Sequence, residues 1–332
     1  MVSTGDFGAA ALTGRRDFDP AELVEEREHF GLSREATYLW GTLRDEKGAP
    51  LSFMRRIPPE GASTDAVGDR ALGDRLILMA AFDDADAMRM RREARIAASS
   101  DAVKRTLEDG RAVLHAAGEQ STFRLAAGAD DVAWNEDGLI DVRGTAVCTP
   151  LQWFATGQGA PMLYPTQTWI VEGTALGRAV NGFLFIEEAY MRPDGRLYIR
   201  HDPLHAARYL TWYSWATKWD DGTTELGHFL FGRDRFHVGV IADSRGNVRN
   251  VASMDARITR NADGYWMDRI EYDLDGERWE LMPDPRGRMV DLGQIPNPQQ
   301  EGLMRRVGER REPVVWMAWG ETVPANGDSV ER

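Results

Sequence analysis

Cysteine is almost missing from this chain: Cys148 is the only one in 332 residues. A single thiol excludes an internal disulfide, a cysteine-built zinc site and an iron–sulfur cluster. Its place in the apolar run Thr145–Thr149 suits a buried small hydrophobe. Positive charge is also short, with 40 Lys and Arg against 53 Asp and Glu, a formal net charge of −13. Nucleic acid and anionic membrane surfaces call for a basic patch, so neither is an expected partner. The one basic stretch, Arg89 to Arg95, follows Asp83, Asp84 and Asp86 and is offset by them. No run approaches 18 apolar residues, and the start lacks a basic, then apolar, then small-residue leader pattern. Membrane insertion is therefore not expected, and the expected location is cytoplasmic. Phosphate-cradling GxxxxGK[ST] and dinucleotide GxGxxG motifs are absent, as are Gly-x-Ser-x-Gly, His-Glu-x-x-His and EF-hand patterns. No cofactor is expected.

Tryptophan, by contrast, is abundant. Seven of the eleven (Trp153, Trp169, Trp212, Trp215, Trp219, Trp266 and Trp279) lie between residues 150 and 280. Such density fits a large aromatic core or an aromatic-lined cavity.

The chain opens with a lead-in rich in Gly, Ala and Thr over residues 1 to about 20. Asp19-Pro20 predicts a short helix running to about Phe30. Ala36–Arg44 and Leu51–Ile57 flank the turn Asp45–Gly48 and predict a hairpin, and Arg75–Phe82 has strand length. Residues 83–109 read as a strand and then a helix over Asp101–Glu108. Beyond Gly110, turn signals end at Gly138, Gly195, Gly222, Gly246 with Asn247, Gly264 and Gly276. Each supplies a residue able to take positive φ between strand-like runs, which predicts a β meander. In Tyr209–Trp219 one face carries Tyr209, Thr211, Tyr213 and Trp215, the other Leu210, Trp212, Ser214 and Ala216. Neither face is plainly solvent. Strands apolar on both faces fit barrels or stacked sheets with one side turned to a cavity. The fold class is therefore all-β, with a few short helices.

Two stretches, TQTWIVEGTALGRAVNGFLFIEEAY (Thr166–Tyr190) and YLTWYSWATKWDDGTTELGHFLFG (Tyr209–Gly232), carry a family resemblance. The region Trp153 to Glu280 resembles the second half of the carotenoid 1,2-hydratase (hydroxyneurosporene synthase)-like proteins, which are tandem lipocalin-like (calycin) β-barrels. Trp212-Tyr213-Ser214-Trp215-Ala216 stands where relatives carry a His-x-Ser-Trp-Gly type element, and lacks its His and Gly. The resemblance implies two lipocalin-like β domains, 1–150 and 151–332, and a cofactor-free hydrophobic cavity near their interface. Members of that family act on, or bind, terpenoid, polyketide, steroid or aromatic molecules by hydration, isomerisation, cyclisation or lyase chemistry, and the resemblance does not carry the substrate class over.

Glu187, Glu188, Tyr190, His201, Asp202 and His205 form the densest polar cluster. A carboxyl buried among Phe183, Phe185 and Ile186 would have its pKa raised, suiting it to acid–base work. Glu187, Glu188, His201, His205 and Tyr213 are the candidate catalytic residues. Tyr164, Trp169, Tyr190, Trp212, Trp215 and His228 are the candidate substrate-binding ones. The expected function is a cofactor-independent lyase, hydratase or isomerase acting on a bulky hydrophobic or aromatic small molecule. Two alternatives stay open: a non-catalytic carrier or sensor of such molecules, and a metal-dependent enzyme using the His-x3-His pair His201 and His205. A homodimer is also left open.

Overall fold

The computed structural model describes residues 11–60, 76–83, 85–118, 120–156, 159–233, 236–292 and 297–330. Among them, strands β1 (Leu12–Arg15), β2 (Ser33–Asp45), β3 (Pro50–Ile57), β4 (Ile77–Ala80), β5 (Arg89–Met90), β6 (Lys104–Glu108) and β7 (Arg111–Ala117) come first. They are followed by β8 (Thr122–Ala127), β9 (Asp131–Glu136), β10 (Ile140–Ala146), β11 (Leu151–Ala155), β12 (Met162–Ala175) and β13 (Arg178–Met191). All thirteen form one antiparallel sheet in the order β5-β4-β3-β2-β13-β12-β10-β9-β8-β7-β6, with β11 also on β12 and β1 on β11. A second sheet holds β14 (Tyr209–Trp219), β15 (Thr224–Gly232), β16 (His237–Asp243), β17 (Val248–Asn250), β18 (Met254–Arg260), β19 (Met267–Leu274), β20 (Glu277–Arg288), β21 (Gln299–Arg306) and β22 (Pro313–Thr322). Its order is β17-β16-β15-β14-β22-β21-β20-β19-β18. Each sheet curls into a half-barrel, and the two α-helices, α1 (Ala21–Val24) and α2 (Pro203–Ala206), are one turn long.

Local chemistry accounts for most of the turns. Gly48, Gly138, Gly222, Gly246, Gly264 and Gly276 all take positive φ, as the turn signals require. Two local expectations are corrected. Asp101–Glu108 is not a helix: a short 3-10 turn over Ser100–Ala102 gives way to β6. Asp109 and Gly110, at φ 49° and 77°, make the tight hairpin turn that pairs β6 with β7. The helix after Asp19 stops at Val24, because Arg34 draws the carbonyls of Glu22 and Glu25 to its guanidinium and the next residues run extended. Residues 1–10, Arg75 and Asp84 lie outside the described residues.

Three apolar layers result. The first half-barrel encloses Leu39, Phe53, Trp134 and Trp169, and the second encloses Tyr213, Trp215, Phe229 and Trp279. Between the sheets lies a third layer that includes Tyr38, Trp40, Phe185, Trp153, Trp212 and Trp319. Alternation along the strands explains the arrangement, since β2, β13, β14 and β22 each send one set of residues inward and the other into the shared layer. Strands β11 to β13 are hydrogen-bonded into the first sheet, so the change of sheet falls between Met191 and Tyr209 and not at residue 150.

A buried polar tie crosses the shared layer at one end. Arg44 of β2 reaches Asp284 at 2.6 Å and Glu301 at 3.2 Å, and its guanidinium lies 4.3 Å over the Trp316 ring. Thr42 donates to Glu301 at 2.9 Å. Burial raises the Glu301 carboxyl to about 7, against the lowering effect of Arg44. Arg44→Met would strand two buried carboxyls and is expected to cost about 3 kcal/mol in urea denaturation at pH 8. The loss is expected to shrink at pH 5, where Glu301 can take a proton.

Candidate active site between the sheets

Glu187 sits on β13 opposite Tyr38 of β2 and Thr166 of β12. The register places it on the face shared with Phe183 and Phe185, which looks across at the second sheet. Its Oε2 accepts hydrogen bonds from Trp40 Nε1 at 2.6 Å and Tyr164 Oη at 2.7 Å, and its Oε1 accepts one from Thr166 at 3.3 Å. Burial outweighs these donors and pushes the carboxyl from its ordinary 4.5 up to about 7. Both protonation states are therefore accessible near neutrality.

Glu187 looks into a cavity whose walls also include Tyr38, Trp40, Met54, Tyr164, Tyr198, Trp212, Ser214, Trp319 and Glu321. The cavity has a volume of about 70 Å³, room for a few waters or one compact ligand. The aromatic walls are rigid by mutual packing. Trp40 stacks on Phe185 at 4.8 Å and meets Trp319 edge-on at 5.4 Å, while Tyr164 meets Trp212 edge-on at 5.5 Å.

The second sheet contributes its own carboxyl. Glu321 of β22, paired across from Trp212, accepts from Tyr209 Oη at 2.6 Å and from Gln299 Nε2. Burial raises its pKa too, against hydrogen bonds from Tyr209, Tyr198 and Asn297. Gln299 is held in turn by Trp319 Nε1 at 3.0 Å.

Behind the wall lies a hydroxyl–imidazole–carboxyl line. Ser214 Oγ is 2.7 Å from His228 Nδ1, and His228 Nε2 is 3.7 Å from Glu187 Oε1. The imidazole is fully buried, and desolvation lowers its pKa to about 3, so it is neutral. With the proton on Nε2, Ser214 donates to Nδ1 and the ring N–H faces Glu187.

Of the residues singled out in the sequence, Glu187, Tyr164 and Trp212 are on this cavity, and His228 stands just behind it. The others are elsewhere. Glu188 points to the opposite face of β13, where Arg34 Nε meets it at 2.7 Å and Tyr190 donates to it at 3.2 Å. One residue along a strand reverses the face, which separates the two glutamates. Tyr190 packs edge-on against His29 at 4.7 Å. Trp169 packs against Phe18 inside the first half-barrel, and Trp215 against Trp279 inside the second. Tyr213 faces the same inner core, its hydroxyl 3.6 Å from the Met267 sulfur. His201 and His205 are largely exposed and engage separate carboxylates, Asp194 at 3.2 Å and Asp202 at 3.9 Å. No group of three or more His, Cys, Asp or Glu among the described residues is placed to hold a metal ion. Cys148 is only partly buried, its Sγ 3.7 Å from the Thr224 carbonyl.

Sequence reasoning did not find Tyr38, Trp40, Tyr198, Ser214, Gln299, Trp319 and Glu321 as site residues. A signal was present for one of them: VVWMAWGET (Val314–Thr322) ends an aromatic strand in a carboxylate, as FLFIEEAY does. Tyr209 was grouped with Tyr213 by strict alternation. A register shift between Tyr209 and Thr211 moves it to the Trp212 side, where it reaches Glu321.

Fold and site together define an all-β protein of two half-barrels with a carboxyl-bearing aromatic cavity between them. Two solved structures are similar to this chain at low identity. One, described only provisionally as AttH, from Nitrosomonas europaea, is 14% identical, with TM-score 0.49, over 91% of this chain and 95% of that one. Another, kievitone hydratase from Nectria haematococca, is 9% identical, with TM-score 0.45, over 87% and 89%. No protein-family model and no curated protein matches the chain.

The raised Glu187 pKa has a direct consequence for stability. Folding holds this proton more tightly than the unfolded chain does. Its contribution is thus fully present below about 4.5 and is lost as pH rises through about 7. Glu187→Gln removes that dependence. Its stability relative to wild type is expected to rise by about 3 kcal/mol between pH 4.5 and pH 8 in urea titrations.

Proposed function

We propose that the protein is an acid–base enzyme of the hydratase, lyase or isomerase kind, acting on a compact aromatic or otherwise unsaturated small molecule. The observation that supports this most is Glu187: a carboxyl held near neutral pKa at the wall of an aromatic cavity. In the hydration direction, neutral Glu187 delivers its proton to one carbon of a substrate double bond. A water oxygen bonds to the other carbon, and a proton of that water returns to the carboxylate. Dehydration is the reverse, and isomerisation uses the same group to move a proton between two carbons. Tyr164 and Trp40 hold the carboxylate in place whenever it is ionised. Glu321, fixed by Tyr209 and Gln299, is placed to donate a hydrogen bond from its protonated form to a substrate oxygen. The limited space favours a compact substrate over an extended one.

The test is incubation with a panel of small aromatic enones, styrenes and their hydrates in deuterated water, followed by mass spectrometry. A gain or loss of water, or solvent deuterium appearing at carbon, is the expected result. Glu187→Gln is expected to lower the rate by roughly 100-fold or more, while His205→Ala, at an exposed position of α2, leaves it unchanged. Saturable binding with no exchange would instead favour a carrier.

A further inference from the structure

The buried glutamates of this protein fall into two groups. Glu35 is paired with Arg56, Glu136 with Arg55, Glu188 with Arg34, Glu225 with Arg306, Glu280 with Arg305 and Glu301 with Arg44. Among the described residues Glu187 and Glu321 are the only buried glutamates with no arginine or lysine partner; the buried Asp202 is held by the Tyr198 and Leu204 amides, with His205 3.9 Å away. These two glutamates, one from each sheet, line the same cavity, and no arginine or lysine is on its walls.

Burying a carboxylate without a cation is costly, and the other buried glutamates meet that cost with arginine. The two exceptions converge on a space walled by three tryptophans and three tyrosines: Trp40, Trp212, Trp319, Tyr38, Tyr164 and Tyr198. Aromatic faces carry negative charge density and attract a desolvated cation, most strongly when it is an ammonium too bulky to keep its water. The walls repel anions for the same reason. Hydroxyl and indole donors already occupy most carboxylate lone pairs, so what the site still lacks is positive charge rather than further hydrogen-bond donors.

We infer that the cavity binds an organic cation, a tertiary or quaternary ammonium attached to a compact aromatic or unsaturated group, with Glu187 and Glu321 as its counter-charges and the indoles as its cage. This identifies the substrate class of the acid–base site and rests on that cavity being the functional one. The cationic nitrogen stands in for the arginine that the other buried glutamates have, and the unsaturated group is the part presented to the ionised Glu187, which acts on it as a base.

Calorimetric titration of the full chain with phenyltrimethylammonium and with its neutral isostere tert-butylbenzene tests the inference. The cation is expected to bind roughly thirtyfold or more tightly than the isostere. Glu187→Gln and Glu321→Gln are each expected to remove that preference while leaving the isostere's affinity intact, which also shows that the variants are folded. Equal affinity for the two probes, or a cation preference surviving in both variants, overturns the inference. Failure of either probe to bind overturns it as well. The acid–base reading fails separately, if solvent deuterium exchange is absent from wild type or is unchanged in Glu187→Gln.

Discussion

The strands that run through the middle of this molecule have two apolar faces each, and both must leave water. β2 and β13 cannot do so within one half-barrel, nor can β14 and β22, so the two sheets are driven together and a third apolar layer forms between them. Everything of chemical interest follows from that packing. Polar side chains that alternate onto the shared face are carried inside with their neighbours, and each has to find a partner there or hold a proton.

The shared layer resolves this in two ways. At one end Arg44 supplies a cation to Glu301 and Asp284, a tie that joins the sheets and performs no evident chemistry. Around the cavity, Glu187 and Glu321 receive only neutral donors from Trp40, Tyr164, Tyr209 and Gln299. Desolvation outweighs these neutral donors, and both carboxyls keep their protons to higher pH, as Glu301 does even beside Arg44. The carboxyls of the tie and of the cavity thus differ in the charge of their partner, not in their depth of burial.

Rigidity comes with the same arrangement. The walls are strand residues locked by ring packing, and the donors to each carboxyl come from different strands, so the site is positioned by the sheets and not by a loop. The connection between the sheets, which contributes Leu197 and Tyr198, is the exception. It carries non-glycine residues at positive φ, Tyr198 at 63° and His201 at 50°, and Asp202 secures it by accepting from the Tyr198 and Leu204 amides.

Much of this was legible from local chemistry. Turn glycines, two-sided apolar strands and the surplus of tryptophan are properties of short stretches, and they sufficed for an all-β chain with an aromatic interior. Glu187, at the end of an aromatic strand, was recognisable as a candidate on the same grounds. The choice between Glu187 and Glu188 was not, because adjacent residues differ only in face, and face depends on register against β2 and β12. Tyr209 shows the limit from another side: a single register shift overrides the alternation rule. Trp40, Ser214 and Glu321 lie on three strands far apart in the chain, and nothing local indicates that they meet. Sequence alone determined what kind of strands these are and how they turn. Which faces meet, and therefore which carboxyls are left without a cation, was decided only when two curled sheets closed over a common layer.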